Sequence, residues 1–257
     1  MKRRFQLVRL GALLAVLLGG LCVLPAHATF PAVAGTATSS RASNVAADSV
    51  TLPASVASGD LVLVFHYSDG ALTRTFPSPW VEIKDALCST SVCNIGVGYL
   101  IASGGETSVT VTKSVAERFT AISARITGWH GTTAPEISTG ASGSSTTPDP
   151  DSVTASWGSD DNLFIAVNVF DNSAGAGVTS AWPTNYTGSN VQSPDVSSAA
   201  RGAIGTRDLA AASDDPGTFT ISPTDQWWAG TVVVRPAAGG GGGAAQPPTQ
   251  MMLGVGD

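Results

Sequence analysis

Leu61-Val62-Leu63-Val64-Phe65 and, 102 residues further on, Leu163-Phe164-Ile165-Ala166-Val167 are apolar runs with no polar alternation. A strand that buries one face alternates apolar and polar side chains, so a continuous apolar run predicts a central strand covered on both sides. Around both runs, short β-branched segments alternate with Gly, Pro, Asp and Asn, and no long segment holds a helical period. That pattern predicts an all-β chain, an antiparallel β-sandwich of jelly-roll type. In the first half, strands are expected near 49–53, 60–67, 80–84, 95–102, 107–112 and 119–128. Val109 and Val111, then Ile122, Ala124 and Ile126, alternate with polar neighbours and so bury one face each.

The second half echoes the first. Asp48-Ser49-Val50-Thr51 corresponds to Asp151-Ser152-Val153-Thr154, and Trp80 beside a proline-rich turn corresponds to Trp182. Thr107 to Thr110 matches Gly217 to Thr220, and Ala121 to Arg125 matches Gly230 to Val234, at offsets of 110 and 109. A duplicated unit of about six strands follows, with halves near 45–130 and 150–236. Doubly apolar central strands favour packing of the halves into one unit over two tandem sandwiches. The Thr-, Ser-, Gly- and Pro-rich segment 132–150 reads as a surface connection.

Residues 1–28 have the form of a secretory signal: Lys2, Arg3 and Arg4, an apolar stretch from Leu10 to Leu24, and Ala26-His27-Ala28 before cleavage at Thr29. The stretch is shorter than the roughly 20 residues that span a bilayer. Leu21 before Cys22 argues against a lipoprotein signal. Cleavage leaves 229 residues with 9 basic and 19 acidic side chains, a net charge of −10. So acidic a chain does not suit nucleic acid or anionic lipid. Cys88 and Cys93 remain, and in an exported chain so close a pair predicts a disulfide at a hairpin tip. Residues 237–257 read as a flexible Gly-rich linker ending in an apolar patch at Met251-Met252-Leu253.

Catalytic motifs are scarce: there is no nucleophile elbow, phosphate loop, His-Glu-x-x-His or dinucleotide fingerprint. His66 near Asp69 and His130 beside Trp129 offer histidines but no complete triad. Glu82, Glu106, Glu117 and Glu136 are the four glutamates from which a glycosidase would draw a facing pair. Aspartates cluster at Asp149 and Asp151, Asp160 and Asp161, Asp171, and Asp214 and Asp215. Loop carboxylates suit calcium, which makes Asp160, Asp161, Asp214 and Asp215 candidate ligands, although the same residues also favour turns. No other cofactor is indicated. Tryptophans beside turns offer stacking faces for sugar rings, so Trp227, Trp228, Trp129 and His130 are candidate ligand-binding residues. Alternation along a strand sends one of Trp227 and Trp228 inward and one outward, while Trp80 and Trp182 fit a repeated structural plug.

Ser49 to Pro53, Ser58 to Val64, Pro79-Trp80, Pro148-Asp149-Pro150 with Ser156-Trp157-Gly158, and Arg235-Pro236 resemble a loosely defined group of β-rich proteins from tailed phages and some bacteria. The likeness spans about 45–236, and glycine-rich ends with a methionine-bearing tail recur in that group. It implies a virion-surface or exported adhesive and structural role with no catalytic residues, and the leader favours a bacterial surface or secreted protein over a virion part. The expectation is a secreted, non-enzymatic β-sandwich that recognises glycans or another extracellular surface. A structural subunit assembling through its C-terminal tail is the alternative, and a secreted polysaccharide hydrolase comes third.

Overall fold

The computed structural model describes residues 29–173 and 175–239. Residues 1–28, where a leader is expected, and 240–257 of the expected tail lie outside the described residues, and Ala28–Ala238 form one compact unit. All of its regular elements are strands: β1 (Ala32–Thr51), β2 (Leu61–Asp69), β3 (Arg74–Thr75), β4 (Val81–Leu87), β5 (Cys93–Ile101) and β6 (Ser108–Thr127), then β7 (Glu136–Ile137), β8 (Ala141–Ser145), β9 (Val153–Thr154), β10 (Asp160–Phe170), β11 (Val178–Ala181), β12 (Val191–Gln192), β13 (Arg201–Ala211), β14 (Ser213–Asp214), β15 (Thr220–Ser222) and β16 (Asp225–Val234).

Twelve of them form two antiparallel sheets of six strands, ordered β1-β6-β2-β5-β4 and β7-β16-β10-β13-β12, with β3 on β6 and β8 on β16, and the other four pair as β11 with β15 and β9 with β14. The order is the same in both, so the repeat seen in the sequence is a repeat of topology. In each, a doubly apolar strand lies at the centre: β2 between β6 and β5, β10 between β16 and β13. Alternate residues of these strands face the other sheet. Leu61, Leu63, Phe65 and Tyr67 meet Leu163, Ile165, Val167 and Val169 in a shared core that also holds Ile122, Ile204, Trp129 and Trp228.

The opposite faces are covered as well, which explains the absence of polar alternation. Strand β1 pairs with the second half of β6, bends between Arg41 and Ala47, and pairs again with the first half of β6. The bent ribbon folds back on itself: Thr51 N–H donates to Ser39 Oγ at 2.8 Å, and Ser123 Oγ donates to the Thr51 carbonyl at 2.7 Å. Its Val50, Val109 and Val111 pack with Phe76 on Val62, Val64 and Ala121 of the sheet below. Over the second sheet, Val153, Ala155, Tyr186 and Phe219 cover Phe164, Ala166 and Val233. The sandwich therefore has a layered section of cover, sheet, sheet and cover.

Several sequence expectations need correction. The first long strand begins at Ala32, and 108–127 is one continuous strand where two were expected. The connection 132–150 contains β7 and β8, which extend the edge of the second sheet. The last-strand alignment slips by one: Leu61 pairs with Ile126 and Leu163 with Val234, so the true offset there is 108. Trp80 is not the counterpart of Trp182. Gly98 and Gly205 hold equivalent places, opposite Val64 and Ala166. A Cβ on Gly98 would lie 2.7 Å from the Phe76 ring, and one on Gly205 would lie 2.6 Å from the Trp182 ring. Phe76 is thus the first half's plug, with Trp80 stacked on it at 6.0 Å between ring centroids.

Candidate functional site

The aromatic residues expected to meet ligand are core residues. Trp129 is 5% exposed, Trp227 7% and Trp228 3%. Alternation does send Trp227 and Trp228 to opposite faces, but both faces are covered. Trp228 lies in the core between the sheets, while Trp227 packs with Phe170 and Ile221 and its indole N–H donates to Ser145 Oγ at 3.0 Å. The Trp129 indole N–H donates to the Gly59 carbonyl at 2.8 Å. His130 turns its ring back on its own loop, with Nδ1 accepting from Thr133 N–H at 3.2 Å and lying 2.8 Å from Thr133 Oγ1.

The proposed calcium ligands do not converge. Among the described residues no three His, Cys, Asp or Glu side chains stand close enough to hold a metal. Asp160 caps its own turn through Asp161 N–H and lies 3.7 Å from Arg235 Nε. Asp214 accepts from the Tyr186 hydroxyl at 2.6 Å and from Arg207 Nη1 at 2.8 Å. Its charge is therefore already matched. Cys88 and Cys93 are bonded, with Cα atoms 5.2 Å apart, at the tip of the β4–β5 hairpin.

That Asp214 anchor positions a different site. At the end of the sandwich where β1 begins, a cleft of about 530 Å³ opens between the sheets. Its lining includes Ala32 and Val33 of β1, Leu163 of β10, Asn185, Thr187 and Ser189 of the β11–β12 loop, and Thr206, Arg207 and Asp208 of β13. The loop is clamped along its length. The Trp182 indole N–H donates to the Ile204 carbonyl at 2.7 Å, Tyr186 is tied to Asp214, Gly188 N–H donates to the Thr206 carbonyl at 3.0 Å, and Ser189 N–H donates to Thr206 Oγ1 at 2.7 Å. Asn185 completes the tight turn with φ of 70°, a conformation that asparagine tolerates better than most residues. Burial, reinforced by Asp214, pushes the Tyr186 phenol far up, so it serves as a neutral anchor.

The cleft thus combines a small apolar strip, Val33 and Leu163, with amide, hydroxyl, guanidinium and carboxylate groups on a fixed frame. Partial desolvation raises the Asp208 carboxyl above its ordinary value. Asp208 is the one carboxyl in the lining, and glycoside hydrolysis needs two. A second hollow, about 570 Å³, lies beside β4 between Leu72, Thr73, Asp85 and Leu87, and is shallow and mostly apolar. No sequence signal marked the cleft. Its residues come from four separate segments and are individually ordinary turn and strand-end types. In comparisons with protein families, curated proteins and solved structures, none matches this chain.

Proposed function

We propose that the chain is an exported, non-catalytic β-sandwich that binds a saccharide unit of an extracellular polymer in the cleft between its sheets. The clamped β11–β12 loop carries this reading, because it fixes polar groups over an apolar strip before any ligand arrives. Sugars offer hydroxyls to Asp208, Asn185 and Ser189 and a C–H face to Leu163 and Val33. A preformed site also avoids the entropy of ordering a loop on binding. The lone carboxyl favours recognition over hydrolysis.

The test is binding of the full chain to a glycan and polysaccharide array, with Asp208→Ala and Asn185→Gly alongside, glycine being the replacement that keeps the turn's φ of 70° without strain. Both side chains are exposed, so both variants are expected to keep the parent Tm. Loss of a charged hydrogen bond predicts affinity about 10-fold or more weaker for Asp208→Ala. Undiminished binding by both variants would remove the cleft from the reading.

A second reading, assembly into a surface layer, is favoured by β4. It is an outer strand and carries Val81 and Leu87 at 45% and 41% exposure, and such an edge can pair with a strand of another chain. Concentration-dependent light scattering would reveal that association.

A further inference from the structure

Beneath the first cover lies a cluster of ionisable groups far from the cleft's lining. Asp48 of β1, His66 of β2, Arg74 of β3 and Lys113 of β6 all have side chains that are 0% exposed. Lys113 Nζ stands 2.8 Å from Asp48 Oδ2, and His66 Nε2 stands 2.9 Å from the same oxygen. His66 lies flat on the Phe119 ring at 5.2 Å, and Lys113 Nζ is 5.8 Å from that ring's centroid. Arg74 is held by Asp85 at 2.8 Å and by Asn94, so Asp48 is left to Lys113 and His66.

The repeat supplies an internal comparison. Arg74 pairs with Lys113 as Thr179 pairs with Ile221, and His66 sits opposite Gly96 as Asn168 sits opposite Ala203. The second half therefore builds the same layers with Asn168, Thr179 and Ile221 in place of His66, Arg74 and Lys113. The fold does not need the charges, and burying an ion pair is costly unless its geometry is excellent.

Burial, with Arg74 nearby, lowers the Lys113 pKa and so favours the uncharged amine. Desolvation holds His66 down at about 4, leaving a neutral imidazole able to take and give a proton. We propose that Lys113 and Asp48 condense into an intramolecular amide that ties β6 to β1 beneath the cover. A proton passes from the Lys113 ammonium to the Asp48 carboxylate, and the freed Nζ lone pair adds to Asp48 Cγ. His66 Nε2 takes the second proton released from Nζ and passes it to the departing oxygen, so the imidazole ends neutral as it began. The Cγ–O bond breaks and one water leaves. Nothing is oxidised or reduced, no co-reactant is consumed, and two buried charges become one neutral amide.

The measurement is a tryptic peptide map of the reduced full chain, prepared from protein whose near-ultraviolet circular dichroism shows folded tryptophans. Peptides 42–74 and 85–118 are expected joined, lighter than their sum by one water, about 18 Da, with no cleavage after Lys113. Asp48→Ala should restore that cleavage, and Lys113→Met should release 42–74 as a free peptide. His66→Asn, which installs the residue found at the equivalent place in the second half, should slow formation of the joined peptide in newly synthesised chain, followed by mass over time after cell-free translation is stopped. An unchanged rate would overturn the proton relay. Free peptide 42–74 from the folded parent chain would overturn the amide itself, whether or not any variant folds.

Discussion

At the scale of single residues, Trp228 illustrates how context decides what an indole does. It fills the space between the sheets beside Val232 and Trp129, and Lys84 Nζ lies 5.5 Å from its ring centroid. Trp228→Ala is expected to cost about 3–5 kcal/mol of stability, read from the urea midpoint, because a large cavity opens in the shared core. A residue that merely stacked on ligand would leave that midpoint unmoved. Asp69 carries the clearest pH effect. Burial, followed by Asp171 and Glu117, pushes its carboxyl up to about 7 against an ordinary 3.8. The folded state therefore holds a proton that the unfolded chain releases above pH 3.8. Asp69 contributes stability below that pH, and the contribution is lost as pH rises towards 7. Asp69→Asn should flatten this decline, so a Tm series from pH 4 to 8 should show the variant gaining on the parent as pH rises. Parallel curves would contradict it.

Among the elements, the hairpin β4–β5 is closed by Cys88–Cys93, whose side chains are buried in the shared core. The loop it closes is short, so Cys88→Ser with Cys93→Ser should lower stability by only about 2 kcal/mol, measured in denaturant and compared with the reduced parent. This hairpin, like the central strands β2 and β10, was legible in the sequence because one strong signal marks it. Strands at the rim were not. Ala32 to Ala47 and Ala141 to Ser145 are small and polar, with one side in solvent, so they lack apolar periodicity. Their smallness has a partner-dependent cause: a Cβ on Gly143 would lie 2.6 Å from the Trp227 ring, and one on Gly140 would strike Trp228. Sequence periodicity reports what a residue buries itself, whereas these residues are shaped by what lies over them. The cleft was hidden for a related reason, since its lining brings Val33 of one sheet and Thr206 of the other to one hollow only once the two sheets are packed.

For the molecule as a whole, the two repeats share one apolar interior. Each sheet's inner face, including Leu63 and Phe65 on one side and Ile165 and Val167 on the other, is covered only by its counterpart. Separation would wet both faces at once, so the halves should unfold together. Calorimetry of the full chain should give one transition with calorimetric and van't Hoff enthalpies in agreement, and two resolved transitions would show that the repeats are independent.

The chain enters the sandwich near Phe30 and leaves it near Ala237 at the same place. Ala237 N–H donates to the Gly128 carbonyl at 2.8 Å, and a Cβ on Gly128 would lie 3.7 Å from the Phe30 carbonyl oxygen. Entry and exit are thus neighbours across one glycine. In engineering terms the fold is topologically circular: a short bridge from Ala238 to Thr29, with a new opening at Thr132–Thr133, would reverse the order of the repeats while leaving every strand beside its present partners.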